Sequence, residues 1–361
     1  MKIHKILTIN PGSTSTKIAV FENAKNVFLK NIKHSSEELE PFETISEQYQ
    51  FRKEAILKAL SDEGFDINRV TCIVGRGGIV RPIPSGVYEV NEDMKKDLII
   101  SAFGEHASNL GGLIADDIAH SLGPEVKAYI SDPVVVDEME DIARVTGHPN
   151  FTRISLLHAL NQKAMARKYA SINNRNYEDL NLIVVHLGGG ISVGAHKKGR
   201  IVDVNNALNG EGPFSPERSG TLPCGQLVEL CFSGKYTKQD IKQMIKGKGG
   251  FAAHLGTNDA YEVEMRAKDG DEKAQFISDA MAYQVAKNIG AYATVLKGDV
   301  DAIILTGGIA HNKQFCSFIA EMTEFIAPIK IYPGEDEMRA LAMNGLMVLQ
   351  GEIEPRVYKS N

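Results

Sequence analysis

The sequence predicts an α/β protein built from two domains. Its 361 residues exceed the roughly 100–200 residues of one typical domain. Short apolar runs that predict strands are interspersed with longer amphipathic segments that predict helices. A strand, a glycine-rich turn and a second strand occur near the start of each half, within residues 5–21 and 182–196. This repeated pattern, weak at the level of individual residues, suggests an internal duplication.

The predicted elements follow from hydrophobic patterning and from the residues that interrupt it. In the first half, this patterning predicts strands at 5–9, 17–21, 70–74 and 126–130 and helices at 54–60 and 105–122. In the second half it predicts strands at 182–185, 191–196 and 302–305 and helices at 153–169 and 276–296. The segment 207–225 is rich in Gly, Pro and Ser and predicts a long loop, and such loops are often functional.

Composition and charge exclude several classes of protein. The 43% hydrophobic and 24% charged residues are typical of globular chains, which excludes disordered and collagen-like proteins. A net charge of −6 argues against nucleic acid or an anionic membrane surface as a partner. The cysteines show no zinc or redox spacing, and no apolar run approaches the ~18 residues of a membrane helix. We therefore expect a reduced, cytoplasmic protein.

The first motif is the glycine-containing turn of the segment Asn10-Pro11-Gly12-Ser13-Thr14-Ser15-Thr16-Lys17. Gly12 allows close approach of a ligand to the backbone, and N–H groups with Ser13 and Ser15 hydroxyls suit phosphate oxygens. Lys17 adds a compact positive charge. The motif lacks the Walker A spacing, and an ordinary polar hairpin is the alternative interpretation.

Two further glycine turns follow predicted strands. His186-Leu187-Gly188-Gly189-Gly190 contains three glycines where one would form the turn, which suggests a ligand against the backbone. Thr306-Gly307-Gly308 follows the strand at 302–305 and precedes a predicted helix, so that a base or sugar could lie flat over its glycines. A flexible turn is the alternative for either motif.

Two arginines lie in glycine-rich surroundings. Arg76 is in Val74-Gly75-Arg76-Gly77-Gly78, and Arg218 is close to Gly220. Glycine neighbours leave room around a guanidinium fork, which binds carboxylate or phosphate through two parallel hydrogen bonds. Arg81 is a lesser candidate by the same reasoning. A solvated loop arginine is the alternative for each.

Several polar residues have both a functional and a structural interpretation. His158 lies within the predicted helix 153–169 and is either a catalyst or a hydrogen-bonded core histidine. His106 and Asn109 open the predicted helix 105–122, where a side chain either binds an anion or caps the helix. Asp132 follows a predicted strand and precedes Pro133, a usual position for a functional carboxylate and for a turn residue.

An acidic triplet, Glu335-Asp336-Glu337, precedes the last predicted helix. These carboxylates suit a hydrated Mg²⁺, and they equally complement a helix N-terminus.

Together these motifs resemble the acetate and butyrate kinase family, within the superfamily of acetate and sugar kinases, heat-shock chaperones and actin. The segment from Asn10 to Lys17 is similar to the family's Asn-x-Gly-Ser-x-Ser-x-Lys signature. The segment from His186 to Gly190 resembles its His-Leu-Gly-x-Gly signature, and Thr306-Gly307-Gly308 resembles its adenosine-side loop. The resemblance covers nearly the whole chain in order, and the combination is far more specific than any single motif.

Within the family the butyrate kinase members are the closer match. Acetate kinases typically carry Arg-Val-Val-His-Gly-Gly, where this chain has Arg76-Gly77-Gly78. They also carry Phe-His-Gly-Thr-Ser-His, where this chain has Leu157-His158-Ala159-Leu160-Asn161. The resemblance therefore implies transfer of a phosphoryl group from ATP to butanoate or a branched short-chain acid, giving an acyl phosphate and ADP.

The resemblance implies a duplicated ribonuclease H-like (actin-like ATPase) fold. Each domain would hold a mixed five-stranded sheet with helices on both faces. The first domain would comprise residues 1–150 and the C-terminal helix at 338–361, and the second would comprise 151–337. ATP and the acid would meet in the cleft between the domains, and the family leads us to expect a homodimer or higher homo-oligomer.

The resemblance also implies a role for each candidate residue. Arg76 would hold the acid's carboxylate, with His106 and Asn109 nearby, while Arg218 and His158 would contact the transferring phosphoryl group. Asp132 would position Mg²⁺ or orient the two arginines. The metal would lie near Asn10, Asp336 and Glu337. The remaining candidates would bind ATP: Asn10, Gly12, Ser13, Ser15, Lys17, His186, Gly188, Gly189, Gly190, Thr306, Gly307 and Gly308.

Three alternatives remain at this stage. An acetate or propionate kinase of the same family would share the reaction. A sugar or glycerol kinase would need a carboxylate base to deprotonate an alcohol, and Asp132 is available by sequence for that role. An ATP-switched binding protein would use the nucleotide site without phosphorylating a small molecule.

Overall fold

The chain folds into two compact units. The computed structural model describes residues 2–360. Unit 1 contains the residues up to Val136 and those from Asp336 onward, and unit 2 contains Asp137–Glu335.

The division falls at Val136 instead of the predicted Asn150, because the intervening residues are bonded to unit 2. The Glu140 N–H donates to the Val202 carbonyl at 2.9 Å. Arg153 Nη1 donates to the Ala143 carbonyl at 2.9 Å. The C-terminal segment rejoins unit 1 from Asp336 instead of the predicted Met338.

The strands confirm most of the apolar runs identified in the sequence. In chain order they are β1 (Lys5–Pro11), β2 (Ser15–Glu22), β3 (Lys25–Lys33), β4 (Cys72–Arg76), β5 (Val87–Glu89), β6 (Lys127–Ser131), β7 (Asn181–Leu187), β8 (Ile191–Lys197), β9 (Arg200–Val204), β10 (Ala302–Gly307), β11 (Ile329–Pro333) and β12 (Arg356–Val357).

The helices connect these strands and cover the sheets. In chain order they are α1 (Ser36–Leu39), α2 (Tyr49–Asp62), α3 (Glu92–Ile99), α4 (Asn109–Leu122), α5 (Asp141–Arg144), α6 (Ala159–Ile172), α7 (Cys224–Cys231), α8 (Lys238–Ile245), α9 (Gly250–Leu255), α10 (Ala260–Lys268), α11 (Glu272–Val295), α12 (Lys313–Thr323) and α13 (Glu337–Leu349).

Both units contain the same arrangement of strands, so the duplication suggested by the sequence is present in the topology. Across residues 2–360 the sheet of unit 1 has the order β12-β5-β6-β4-β1-β2-β3, and that of unit 2 has the order β11-β10-β7-β8-β9. In each, an antiparallel meander (β1-β2-β3 or β7-β8-β9) is extended by two parallel strands. Unit 1 exceeds the predicted five strands because β5 and β12 add to its edge. These strands are too short to give a sequence pattern.

The sheet of unit 2 is buried on both faces, which explains the continuous apolar run of β7. Ile183 and Val185 pack in a core with Met281 and Val285 of α11. Val184, on the other face, packs with residues of α6. A strand covered on both faces reads as an unbroken hydrophobic run. Within residues 2–360 no helix is long and apolar enough to cross a bilayer.

Candidate active site

The first glycine turn joins β1 to β2 in unit 1. Gly12 N–H donates to the Ser15 carbonyl at 2.7 Å, and His34 N–H donates to the Thr14 carbonyl at 2.9 Å. The side chains of Ser13 and Lys17 are exposed, and Ser15 is half-buried. The turn and the start of β2 therefore present hydroxyl groups and a lysine to solvent.

A buried arginine behind this turn was not identified from the sequence. Arg52 of α2 is fully buried and donates hydrogen bonds to the carbonyls of Gly12 and Ser13, at 2.8 and 2.9 Å. It shares the buried face of α2 with Ile56 and Leu60. The sequence does contain a signal that this arginine is buried. Arg52, Ile56 and Leu60 follow each other at intervals of four residues, and residues at that spacing share the face of a helix that packs on the core.

Three predicted residues of unit 1 meet at the start of α13. Glu337 Oε2 accepts a hydrogen bond from Asn10 Nδ2 at 2.6 Å. Its Oε1 forms an ion pair with Arg76 Nη1. Asp336 is the N-cap of α13, and its side chain accepts from the Arg339 N–H at 3.1 Å. Residues far apart in sequence thus form one polar cluster.

The backbone around Arg76 is packed against the start of α4. A Cβ atom added at Gly75 would lie 2.2 Å from the Gly111 carbonyl oxygen, so both residues must be small. Asn109 is buried, and its Oδ1 accepts from the Ile79 N–H at 2.8 Å. Its amide therefore fixes the loop that follows Arg76.

His106 lies outside the helix in which the sequence placed it. The structure starts α4 at Asn109, because residues 105 and 106 are irregular and residues 107 and 108 form a turn. His106 is exposed, and its Nδ1 accepts from the Ser108 N–H at 3.1 Å. An accepting Nδ1 leaves Nε2 as the protonated nitrogen of the neutral ring.

Asp132 is buried in a turn after β6. Its backbone has a φ of 40°, an unusual value for a residue with a side chain. Its Oδ1 accepts from Ser85 Oγ at 2.6 Å and from the Gly86 N–H at 2.9 Å. The carboxylate thus organises the loop before β5.

Two glycine turns lie next to each other in unit 2, because β7 and β10 are parallel neighbours. Thr306 of β10 is paired with His186 of β7, so the segments that follow both strands leave the same sheet edge. Gly307 has a φ of 92°, and an added Cβ would lie 2.3 Å from the Leu187 carbonyl oxygen. Only glycine fits this close approach.

Two histidines stack beside the turn that follows β7. The rings of His158 and His186 are 3.8 Å apart and inclined by 10°. His186 is buried, with Nδ1 2.8 Å from Asn161 Oδ1 and Nε2 3.0 Å from Glu335 Oε1. His158 was expected inside a helix but is the N-cap of α6, since the helix begins at Ala159. Its Nδ1 lies 3.1 Å from Ser192 Oγ.

Arg218 lies against the triple-glycine turn. A Cβ added at Gly190 would be 1.9 Å from Arg218 Nη1, whereas one at Gly189 would meet no atom within 4 Å. Nη1 donates to the Ala207 carbonyl at 2.7 Å. Buried Nε has no hydrogen-bond partner among residues 2–360. Burial lowers the pKa of the guanidinium. An underused buried donor at this point suits an anionic ligand.

A pocket of about 580 Å³ opens beside these turns on unit 2. Its glycine wall is formed by Gly188, Gly189 and Gly308, and the exposed ring of Tyr261 is part of its lining. Glu335 of the acidic triplet also lines the pocket, together with residues that were not singled out in the sequence: Pro216, Asn258, Asp259, Ala260, Glu264, Ile309, His311 and Asn312. Flat backbone, an aromatic face and carboxylates suit the base and hydroxyl groups of a nucleoside.

Comparison with known proteins identifies relatives over almost the entire chain. The sequence is 61% identical over 355 residues to butyrate kinase 2 of Clostridium acetobutylicum, covering 98% of this chain and 99% of the relative. It is 53% identical over 357 residues to butyrate kinase 1 of the same organism, covering 99% and 100%. Residues 153–331 match the model of the acetokinase family.

The fold also has solved counterparts. The crystal structure of Porphyromonas gingivalis acetate kinase superposes with a TM-score of 0.78 at 19% identity, covering 96% of this chain and 100% of that one. This likeness confirms the predicted actin-like ATPase fold. Because its relatives at 61% and 53% identity are matched almost from end to end, the chain belongs to the acetokinase family, together with the butyrate kinases.

Proposed function

We propose that this protein is a short-chain carboxylate kinase that phosphorylates butanoate or a branched short-chain acid with ATP. The observation that carries the proposal is the 61% identity to butyrate kinase 2 across nearly the full chain. The arginines and glycine turns of the two units support it, because they suit a reaction between two anions.

The reaction needs alignment and charge stabilisation instead of proton removal. A carboxylate oxygen of the acid attacks the γ-phosphorus of ATP in line, forming the new P–O bond of the acyl phosphate. The bond to the oxygen that bridges the β- and γ-phosphorus breaks, and ADP leaves with its electrons. Because the carboxylate is already a nucleophile, cations and N–H donors carry the catalysis.

In unit 1, Arg76 is the proposed carboxylate-binding residue. Its ion pair with Glu337 supports this role, because the guanidinium already binds a carboxylate of the protein. Asn109 is proposed to act indirectly, by fixing the loop that follows Arg76. His106, with Nε2 as its donor, is the proposed second contact to the acid. The serines and Lys17 of the first turn are proposed to contact phosphate.

In unit 2, Arg218 and His158 are the proposed contacts to the transferring phosphoryl group. The unpartnered Nε of Arg218 among the described residues supports this role. The turn from Gly188 to Gly190, with His186, is proposed to face the β-phosphate. Thr306, Gly307 and Gly308 are proposed to flank the adenosine, next to the 580 Å³ pocket.

The residues at the start of α13 are proposed to hold a magnesium ion. Asn10 Nδ2 donates to Glu337 Oε2 at 2.6 Å, which brings an amide and a carboxylate together, and Asp336 is adjacent in sequence. Mg²⁺ usually takes one or two protein carboxylates and completes its shell with water and substrate phosphates. Residues 2–360 contain no group of three or more His, Cys, Asp or Glu side chains arranged for a metal, so the proposal rests on these few protein ligands together with the substrate phosphates. Bound there, the ion would neutralise charge on the phosphates.

Asp132 is proposed to organise the loop before β5 and to act indirectly on the site. Its buried Oδ1 already accepts hydrogen bonds from Ser85 and Gly86. An alcohol acceptor would need a general base within hydrogen-bond distance of its hydroxyl proton. Glycerol and glucose as test acceptors decide whether Asp132 acts as such a base.

Trapping of the acyl phosphate with hydroxylamine tests the proposal. The purified enzyme is given ATP, Mg²⁺ and acids of two to five carbons, with glycerol and glucose as controls. We expect hydroxamate from butanoate or a branched acid at the highest kcat/KM. If kcat/KM is highest with acetate or propionate, the protein is an acetate or propionate kinase of the same family. ADP release with glycerol or glucose alone would contradict the proposal.

We also propose a cytoplasmic homodimer or higher homo-oligomer, on the basis of family membership. Light scattering of the purified chain tests the oligomeric state, and a monomer at all concentrations would contradict it.

A further inference from the structure

Arg52 is a fully buried cation in unit 1 with no acidic partner. Its side chain has no exposed surface, and within residues 2–360 no carboxylate forms an ion pair with it. Its guanidinium instead donates only to neutral oxygens, those of Gln48 and of residues 12–16, which form the turn after β1 and the start of β2. Burial lowers its pKa, yet an arginine remains charged in proteins.

The hydrogen bonds of Arg52 define how the turn is oriented. Nη1 donates to the carbonyls of Gly12 at 2.8 Å and Ser15 at 3.1 Å, and Nη2 donates to the carbonyl of Ser13 at 2.9 Å. In a trans peptide the C=O and N–H groups point in opposite directions. The Gly12 carbonyl shares a peptide with the Ser13 N–H, and the Ser13 carbonyl shares a peptide with the Thr14 N–H. These two N–H groups therefore point away from Arg52.

A buried cation of unit 2 shows the usual way to satisfy such a charge. Lys163 is also buried, and its Nζ pairs with Glu138 Oε2 at 2.7 Å. Buried charges are costly and are normally paired with an opposite charge. The charge of Lys163 is neutralised locally, whereas the charge of Arg52 is not. The positive potential of Arg52 thus remains directed at the turn it holds.

We propose that Arg52 is a positioning residue for phosphate binding, which aims the N–H groups of Ser13 and Thr14 outward and supplies a fixed positive charge behind them. The inference rests on the proposed function of this turn as a phosphate-binding element. An anion on the outer side of the turn provides the negative charge that the interior does not.

The test compares ligands with and without phosphates. Affinities for ATP and for adenosine are measured for wild type, Arg52→Met, Arg52→Lys and Lys53→Met. The Lys53→Met control removes a cation from the same helix, one that pairs with Asp117 instead of touching the turn. We expect Arg52→Met to lose on the order of tenfold or more in ATP affinity, with adenosine affinity unchanged. The control should retain both affinities.

Steady-state kinetics supply a second readout. Arg52→Met should raise KM for ATP with little change in KM for butanoate. Arg52→Lys keeps the charge but cannot reach all three carbonyls, so it should lose less ATP affinity than Arg52→Met. If Arg52→Met does not fold, Arg52→Lys decides: a selective loss of ATP affinity over adenosine supports the proposal, and unchanged ATP affinity overturns it.

Equal loss of ATP and adenosine affinity in Arg52→Met would overturn the inference, since it would indicate general disruption. Unchanged ATP affinity in a folded Arg52→Met would also overturn it. In either case, acyl phosphate formation by the wild type leaves the proposed function standing. A wild type that forms no acyl phosphate and does not bind ATP overturns both.

Discussion

The two hairpin turns of the duplicated fold hold cations in different ways. In the turn between β1 and β2, Arg52 lies behind the backbone and binds its carbonyls. In the turn between β7 and β8, Arg218 lies against Gly190, where a side chain would overlap it. The shared topology therefore does not determine where the arginine lies relative to the turn. That position is set by the sequence of each unit.

The glycines of the two turns consequently differ in importance. A Cβ at Gly12 would lie 3.5 Å from the Ser15 carbonyl oxygen, which is an ordinary contact. A Cβ at Gly190 would lie 1.9 Å from Arg218 Nη1. Steric need for glycine is thus strong in the second turn and weak in the first.

Removal of the Arg218 guanidinium is expected to have the largest effect. Arg218→Ala should lower acyl phosphate formation by on the order of 10²–10³, because a preorganised donor to developing charge is lost. ATP binding should survive, since the glycine turns and the pocket remain. Hydroxamate assays and calorimetric titration of ATP measure the two properties. Near-normal turnover would remove Arg218 from the mechanism.

A methyl group at Gly190 should have the next largest effect. Gly190→Ala must displace Arg218 and should reduce kcat by about 10², near the lower end of the loss for removing a donor. Gly290→Ala in α11 is the matched control, since its Cβ meets no atom within 4 Å and Gly290 is not among the proposed ATP-binding residues. The paired kcat values check the prediction. Equal activities of the two variants would show that Arg218 does not depend on the space at Gly190.

His196 of β8 is expected to have a smaller effect, on the pH dependence of stability. Burial holds the pKa of His196 well below its usual value of 6.5. Below pH 6.5 the unfolded chain binds a proton at this histidine, whereas the folded chain does not. The free energy of unfolding therefore decreases as the pH is lowered. The slope from one such group is at most about 1.4 kcal/mol per pH unit.

His196→Gln should reduce this slope, because an amide does not titrate but still offers a donor and an acceptor. The present partners are the Tyr177 hydroxyl at 2.7 Å and Gln162 Oε1 at 2.9 Å. Urea unfolding at pH 7.5 and 5.5 checks the prediction for both proteins. Identical losses of stability on acidification would refute the assignment.

Gly12→Ala is expected to have the smallest effect. Because the added Cβ makes only ordinary contacts, KM for ATP should remain within about twofold of wild type. Arg52 should continue to hold the turn through its carbonyls. A tenfold rise in KM would mean that the first turn needs glycine as strictly as the second.

Local patterns predicted the parts of the fold that depend on local sequence. The hairpins of both units are evident because apolar strands flank glycine turns. The start of α6 was placed too early, since the polar residues before Ala159 do not show where a helix begins. Strands β5 and β12 were missed because three and two residues are too few to form a pattern.

The sequence predicted those parts of the candidate site in which all the residues belong to one short motif, such as the glycine turns. It did not predict contacts between side chains that are far apart in the sequence. Arg52 is 40 residues from Gly12 in sequence, and Glu337 is 327 residues from Asn10. The pocket wall around Tyr261 follows from the packing of α10 beside the glycine turns, which no short-range pattern specifies.

Phosphorus NMR of the complete reaction tests the central claim most directly. The enzyme, ATP, Mg²⁺ and butanoate are followed together, with a parallel sample that lacks the acid. We expect an acyl phosphate signal and ADP in equal amounts, with ATP left intact where butanoate is absent. ADP accompanied only by inorganic phosphate would contradict the account.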